Sequence, residues 1–222
     1  MSLVILTVEE LSNTAAILAD ALTACGAKYG IIGGAGVALH AQRFHLTAHP
    51  TADIDAIIQP NAAKGIDADK ISRSLATKFP ETFTAVTLNG FSMPAIRMQR
   101  GDQPLLVEIK LFDIEAWPDR PQYDLNSPLN TPVPVHIRGK TVQVMSIAWL
   151  LREKILSQAQ REGSKKEQSD ILDITCLTTI AEVHELACET AEFVAALRRL
   201  LEKKPELESS LKRAVKCSAV FP

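Results

Sequence analysis

The stretch Tyr29 to Pro60, YGIIGGAGVALHAQRFHLTAHPTADIDAIIQP, constrains the fold more than any other part of the chain. Tyr29-Gly30-Ile31-Ile32 reads as a short buried strand running into Gly33-Gly34-Ala35-Gly36, after which Val37-Ala38-Leu39 opens a helical pattern. A glycine turn between strand and helix aims backbone N–H groups at an anion, and the partial positive charge at the helix start adds to the attraction. The turn is a candidate phosphate cradle. The familiar phosphate motifs do not fit: the chain has no GxxxxGK[ST], and a GxGxxG/A frame begun at Gly34 meets Leu39 at its last small position.

The same stretch closes on Thr51-Ala52-Asp53-Ile54-Asp55-Ala56-Ile57-Ile58. Strand periodicity puts Asp53 and Asp55 on one face and Ile54 on the other. Two carboxylates so placed repel each other, which suggests a bound cation, and hard oxygen ligands favour magnesium or manganese. A solvated strand end with two surface acids is the alternative. The glycine turn upstream favours a site.

Together these residues resemble the signature of the nucleotidyltransferase superfamily: a strand ending in Gly-Gly, a short helix, then acid-hydrophobe-acid on the next strand. The matching positions are Gly33, Gly34, Asp53 and Asp55, with Thr51 opening a Thr-x-Asp-Ile-Asp form. The resemblance implies an α/β (α+β) fold, a mixed β-sheet flanked by helices, followed by a C-terminal helical subdomain. The expected division is 1–145 for the core and 146–222 for the helices.

Further along, Pro104 to Phe112 reads as an apolar strand with Glu108 at its centre. Leu106, Glu108 and Lys110 share one face. A carboxylate there costs several kcal/mol unless it is paired or binds metal. The superfamily carries a third carboxylate on the strand beside the acid pair, and Glu108 matches it, although many members have Asp. An ion pair between Glu108 and Lys110 or another base is the alternative. A later block also matches small relatives: Lys154, Arg161, Lys166 with Glu167, and Asp170 with Ile171. The resemblance places Lys154 at the nucleotide phosphates, against an ordinary exposed helix lysine.

Between these landmarks, Thr7-Val8-Glu9-Glu10 has the form of a capping box and opens a helix to about Cys25, ended by Gly26. A helix is expected from about Asp67 to Lys78, and a hairpin from Thr82 to Met98 around Asn89-Gly90. Asp113 to Pro132 is rich in Pro, Asp and Asn and reads as an irregular surface excursion, a candidate lid. A second hairpin turns at Gly139-Lys140. Ser146 and Ser164 cap two further helices. Glu182 to Lys203 and Pro205 to Lys216 read as terminal helices, their dense charge of both signs making solvated faces.

Composition narrows the partners. A chain of 222 residues with 46% hydrophobic content can bury a core, and a net charge of −2 with few aromatic residues gives no footprint for nucleic acid. Cys25, Cys176, Cys188 and Cys217 are scattered, without metal-ligand spacing, and read as reduced thiols of a cytoplasmic protein. The start of the chain has only a four-residue apolar run, Leu3 to Leu6, so no signal peptide is expected, and no stretch is long enough to span a bilayer. His40, His45 and His49 lack the fixed geometry of a zinc site, and His49-Pro50 stands where many small relatives have an arginine. One of these histidines is a candidate phosphate contact or base.

The resemblance thus implies transfer of a nucleoside monophosphate from a nucleoside triphosphate to a small-molecule or protein acceptor. Asp53, Asp55 and Glu108 would hold Mg2+ or Mn2+ and carry the catalysis. Gly33, Gly34, Thr51 and Lys154 would bind the nucleotide. Two rivals stand beside it: the same fold with its groove recast for a non-nucleotide small molecule, and a protein-partner module using the terminal helices. The acceptor, the nucleotide and the oligomeric state are not written in the sequence.

Overall fold

A computed structural model describes residues 5–88 and 90–222. Asn89 of the expected hairpin turn and the start of the apolar run at Leu3 lie outside them. The chain divides into two compact units, one comprising residues up to Leu39 with Pro50–Met145, the other His40–His49 with Ser146–Pro222.

The first unit is built on a seven-stranded mixed sheet. It opens with α1 (Val8–Ala24), where Thr7 and Glu10 form both halves of the expected capping box and Gly26 follows the helix at φ +69°. β1 (Tyr29–Ile32) is buried along its whole length and leads directly into α2 (Gly33–Arg43). Helix therefore begins at Gly33, not at Val37, with the turn compressed into one residue at φ +66°. β2 (Asp53–Ile58) starts two residues later than expected. Asp67 then caps α3 (Ala68–Lys78), which packs on β3 (Phe83–Leu88), β4 (Phe91–Arg100) and β5 (Gln103–Phe112). β6 (Pro132–Ile137) and β7 (Lys140–Met145) form the second hairpin.

The strand order is β3-β4-β5-β2-β1-β7-β6, with β2/β5 and β1/β7 parallel and β1/β2 antiparallel. Alternation along β2 and β5 sends Ile54, Val107 and Ile109 into the core at 0% exposure, leaving the acids half-buried on the other face. Each such apolar side chain stabilises the fold by about 1.5–3 kcal/mol. One clamp fixes α1 to the sheet: the Arg100 guanidinium donates to both carboxylate oxygens of Glu10, at 2.6 Å each. These hydrogen bonds, with the capping contacts to Thr7, outweigh desolvation and hold the Glu10 carboxyl down at about 2.

The excursion after β5 is fastened at several points. Asp113 accepts from the backbone N–H groups of Ala68 and Ala116, each at 2.7 Å. Asn130 bonds the carbonyls of Pro121 and Asp124, and Lys28 bonds that of Leu125 at 2.6 Å. Phe112 packs against Trp117 and Tyr123.

The second unit is helical. Ser146 and Ser164 cap α4 (Ile147–Gln160) and α5 (Lys165–Ile180) as expected. The terminal segment differs from the expectation. Glu182 to Cys188 is not helix: it turns into a two-residue strand, β8 (Leu186–Ala187), before α6 (Ala191–Lys203), α7 (Glu208–Ala214) and β9 (Val215–Lys216). β8 pairs with β9 in parallel, a non-local contact that overrides the local helical pattern. The cysteines are free thiols, with Cys217 buried. Among the described residues no helix is long and apolar enough to cross a membrane.

Candidate functional site

The parallel register of β2 and β5 sets Asp53 opposite Glu108 and Asp55 opposite Lys110. Paired residues on neighbouring strands point to the same face, so three carboxylates and one ammonium share it. On the other side of β2, Ile32 of β1 lies opposite Asp55, and the chain turns at Gly33 immediately beyond it. The sheet therefore brings the glycine turn to the acids.

The two glycines answer separate steric demands. A Cβ on Gly33 would lie 3.0 Å from Asp55 Oδ2, and one on Gly34 would lie 3.4 Å from Thr51 Oγ1. At Gly33 the positive φ adds a second reason for glycine. Thr51 in turn donates its hydroxyl toward the backbone carbonyl of Asp53 at 3.2 Å and toward Asp53 Oδ1 at 3.4 Å. Its own carbonyl accepts from the N–H of Leu6 at 2.8 Å, which anchors the segment before α1.

Lys110 completes the arrangement. Its ammonium forms an ion pair with Asp53 Oδ2, with Lys110 32% and Asp53 26% exposed. Burial opposes the charge on Lys110, but the Asp53 hydrogen bond and the fields of Asp53, Asp55 and Glu108 outweigh it and raise its pKa above the ordinary lysine value. The sequence pattern paired Lys110 with Glu108 as an alternative; across the strands it pairs with Asp53 instead. Glu108 makes no hydrogen bond or ion pair among the described residues. The signal for Lys110 was its position two residues after Glu108 on the same face, and only the register reveals its partner.

Three carboxylates are the donor chemistry that magnesium or manganese prefers. Their placement does not fit the ion. Both oxygens of Asp53 face protein donors, Thr51 and Lys110, and among the described residues no group of three or more His, Cys, Asp and Glu side chains is placed to hold a metal. His40, His45 and His49 form no such group either.

Lys154 belongs to the second unit. Its ammonium sits between Asp170 Oδ1 at 2.8 Å and Asp173 Oδ2 at 2.7 Å, with both carboxylates 2% exposed. Burial works against its charge, and the two carboxylates overcome that and raise its pKa. Arg161 holds the other oxygen of Asp170 at 3.0 Å, and Ser169 lies 3.4 Å from His49 Nε2. The Lys154, Arg161 and Asp170 positions of the sequence block thus form one ion cluster between α4 and α5, buried at Lys154 and Asp170 and open to solvent at Arg161.

No family model and no curated protein sequence matches the chain. Among solved structures, an antigenic nucleotidyltransferase-like protein from Paracoccidioides brasiliensis superposes with a TM-score of 0.87 at 38% identity, covering 98% of this chain and 99% of that one. The antibiotic-resistance factor ANT(2'')-Ia, in solution, gives 0.48 at 13% identity over 92% of this chain and 97% of its own. The same factor in complex with adenylyl-2''-tobramycin gives 0.41 at 15% identity, over 89% and 99%. Only the first shares more than a third of its residues with this chain, and it does so along nearly the whole length of both. On that likeness the chain belongs to the nucleotidyltransferase-like proteins.

Proposed function

We propose that the chain is a nucleotidyltransferase that moves a nucleoside monophosphate from a nucleoside triphosphate to a small-molecule or protein acceptor, with release of pyrophosphate. The observation that carries this reading is the approach of the Gly33-Gly34 turn, at the start of α2, to Asp55 and Thr51. A helix start whose first two residues carry no side chain of their own offers backbone N–H groups and a favourable dipole to the phosphates. The acids lie beside that cradle, where an acceptor would approach.

In this reading Gly33, Gly34 and Thr51 line the nucleotide side. Glu108, which makes no hydrogen bond or ion pair among the described residues, takes the proton of the acceptor as its oxygen bonds to the α-phosphorus. The bond from that phosphorus to the bridging oxygen breaks, and pyrophosphate leaves. Asp53 and Asp55 position the acceptor. Because the carboxylates as placed do not fit Mg2+ or Mn2+, no step is assigned to a metal. Lys154 receives no phosphate role, since its ammonium is already shared by two buried carboxylates.

The Asp53–Lys110 ion pair favours a second reading. An acid cluster neutralised from within suits a non-nucleotide small molecule on the same fold. Calorimetric titration of each nucleoside triphosphate, with and without magnesium, separates the two. Transfer predicts binding of at least one nucleotide that disappears in the Gly33→Ala protein, whose added Cβ meets Asp55 at the phosphate turn. No heat from any nucleotide with the folded wild-type protein overturns the transfer reading and leaves the second.

A further inference from the structure

We propose that Lys110 is a built-in counter-cation of the acid cluster and keeps free divalent ions out of it. The proposal deepens the transfer reading of the same site, and its test does not depend on turnover.

The argument starts from the strands. Asp53 and Asp55 are two residues apart on β2, and Glu108 stands opposite Asp53 on β5. Three carboxylates on one half-buried face repel one another, and such a cluster requires positive charge close by. A metal ion is one solution. This chain carries another: Lys110, opposite Asp55, reaches across to Asp53 Oδ2, while Thr51 Oγ1 faces the remaining oxygen, Oδ1. Each Asp53 oxygen keeps a lone pair beyond these contacts, but a divalent ion drawn to the carboxylate meets the Lys110 ammonium on Oδ2 and has to displace it.

Leaving is disfavoured by the rest of the site. Lys110 also lies in the fields of Asp55 and Glu108, so its ammonium answers the whole cluster and not one partner. A divalent ion must displace a covalently tethered competitor that is always present at high local concentration.

The test is Mn2+ binding to the full chain, read as loss of the free-ion signal in electron paramagnetic resonance, without nucleotide. Wild type and Lys110→Arg, which keeps the charge, bind Mn2+ weakly, whereas Lys110→Met binds roughly tenfold or more tightly because Asp53 is released. Adding Asp53→Asn to Lys110→Met abolishes the gain. If Lys110→Met does not fold, Asp53→Asn alone decides. It leaves the Mn2+ affinity of an occluded site within about twofold, whereas several-fold weakening shows Asp53 to be an open ligand and overturns the proposal. Wild type binding as tightly as Lys110→Met overturns it equally. Nucleotide titration of the same wild-type sample reports the transfer reading separately: tight Mn2+ with bound nucleotide defeats only the counter-cation, and weak Mn2+ with no nucleotide defeats only the transfer.

Discussion

Gly33 has no room for a side chain because Asp55 stands over it: a Cβ would lie 3.0 Å from Asp55 Oδ2, on a residue already at φ +66°. Turn and acid are thus fitted to each other before any ligand arrives. Gly33→Ala meets both the left-handed backbone penalty of about 1–2 kcal/mol and the carboxylate. Its expected outcome is a lower urea midpoint together with loss of nucleotide binding. Gly34→Ala, at φ outside that region and meeting Thr51 Oγ1 at 3.4 Å, loses less on both measurements. Equal losses from the two variants would count against this fit.

Lys154 should matter for stability more than any surface lysine. Lys154→Met strips the shared cation from Asp170 and Asp173, whose side chains are 2% exposed, and leaves only Arg161 beside Asp170. Breaking a buried pair from one side costs about 3–5 kcal/mol. Chemical denaturation of the variant reads this directly. Arg161→Ala, which removes a half-exposed partner, is expected to cost about 1 kcal/mol or less.

The Glu10–Arg100 clamp predicts a pH signature. The Glu10 carboxyl falls from 4.5 to about 2 on folding, so the folded state binds its proton less readily than the unfolded chain does. Stability from this group is complete above about pH 4.5, and declines as pH drops toward 2. With Arg100 partly open to solvent, the contribution at neutral pH is about 1 kcal/mol. Glu10→Gln should lose that amount at pH 7 and show a shallower fall in stability between pH 4.5 and 2, measured by thermal melts across the range. An unchanged acid slope would remove Glu10 from the account.

Local signals carried much of the fold. Thr7, Asp67, Ser146 and Ser164 each announced a helix start that the backbone confirms, because capping chemistry is confined to a few neighbouring residues. Alternation alone put Asp53, Asp55 and Glu108 on faces opposite the core. What could not be read locally depends on register. Lys110 was visible as a base beside Glu108, but its partnership with Asp53 exists only because β2 and β5 align as they do. Likewise, Glu182 to Cys188 carries a helical spacing of charges, yet Leu186 pairs with Val215 far along the chain. Lys154 read as a phosphate contact by resemblance, or else as an exposed helix lysine, and only the packing of α5 on α4 brings Asp170 and Asp173 to it.

The parallel pairing of β1 with β7 has a consequence for how the chain is made. Ile31 meets Val144, and β7 is the last of the seven strands to be synthesised. At ordinary translation rates β1 waits on the order of ten seconds for that neighbour. Meanwhile β2 protects one side of Tyr29–Ile32 and the other remains an open, wholly apolar edge, the kind of edge that recruits stray strands. Until β7 emerges, that exposed edge of β1 has no native partner to cover it.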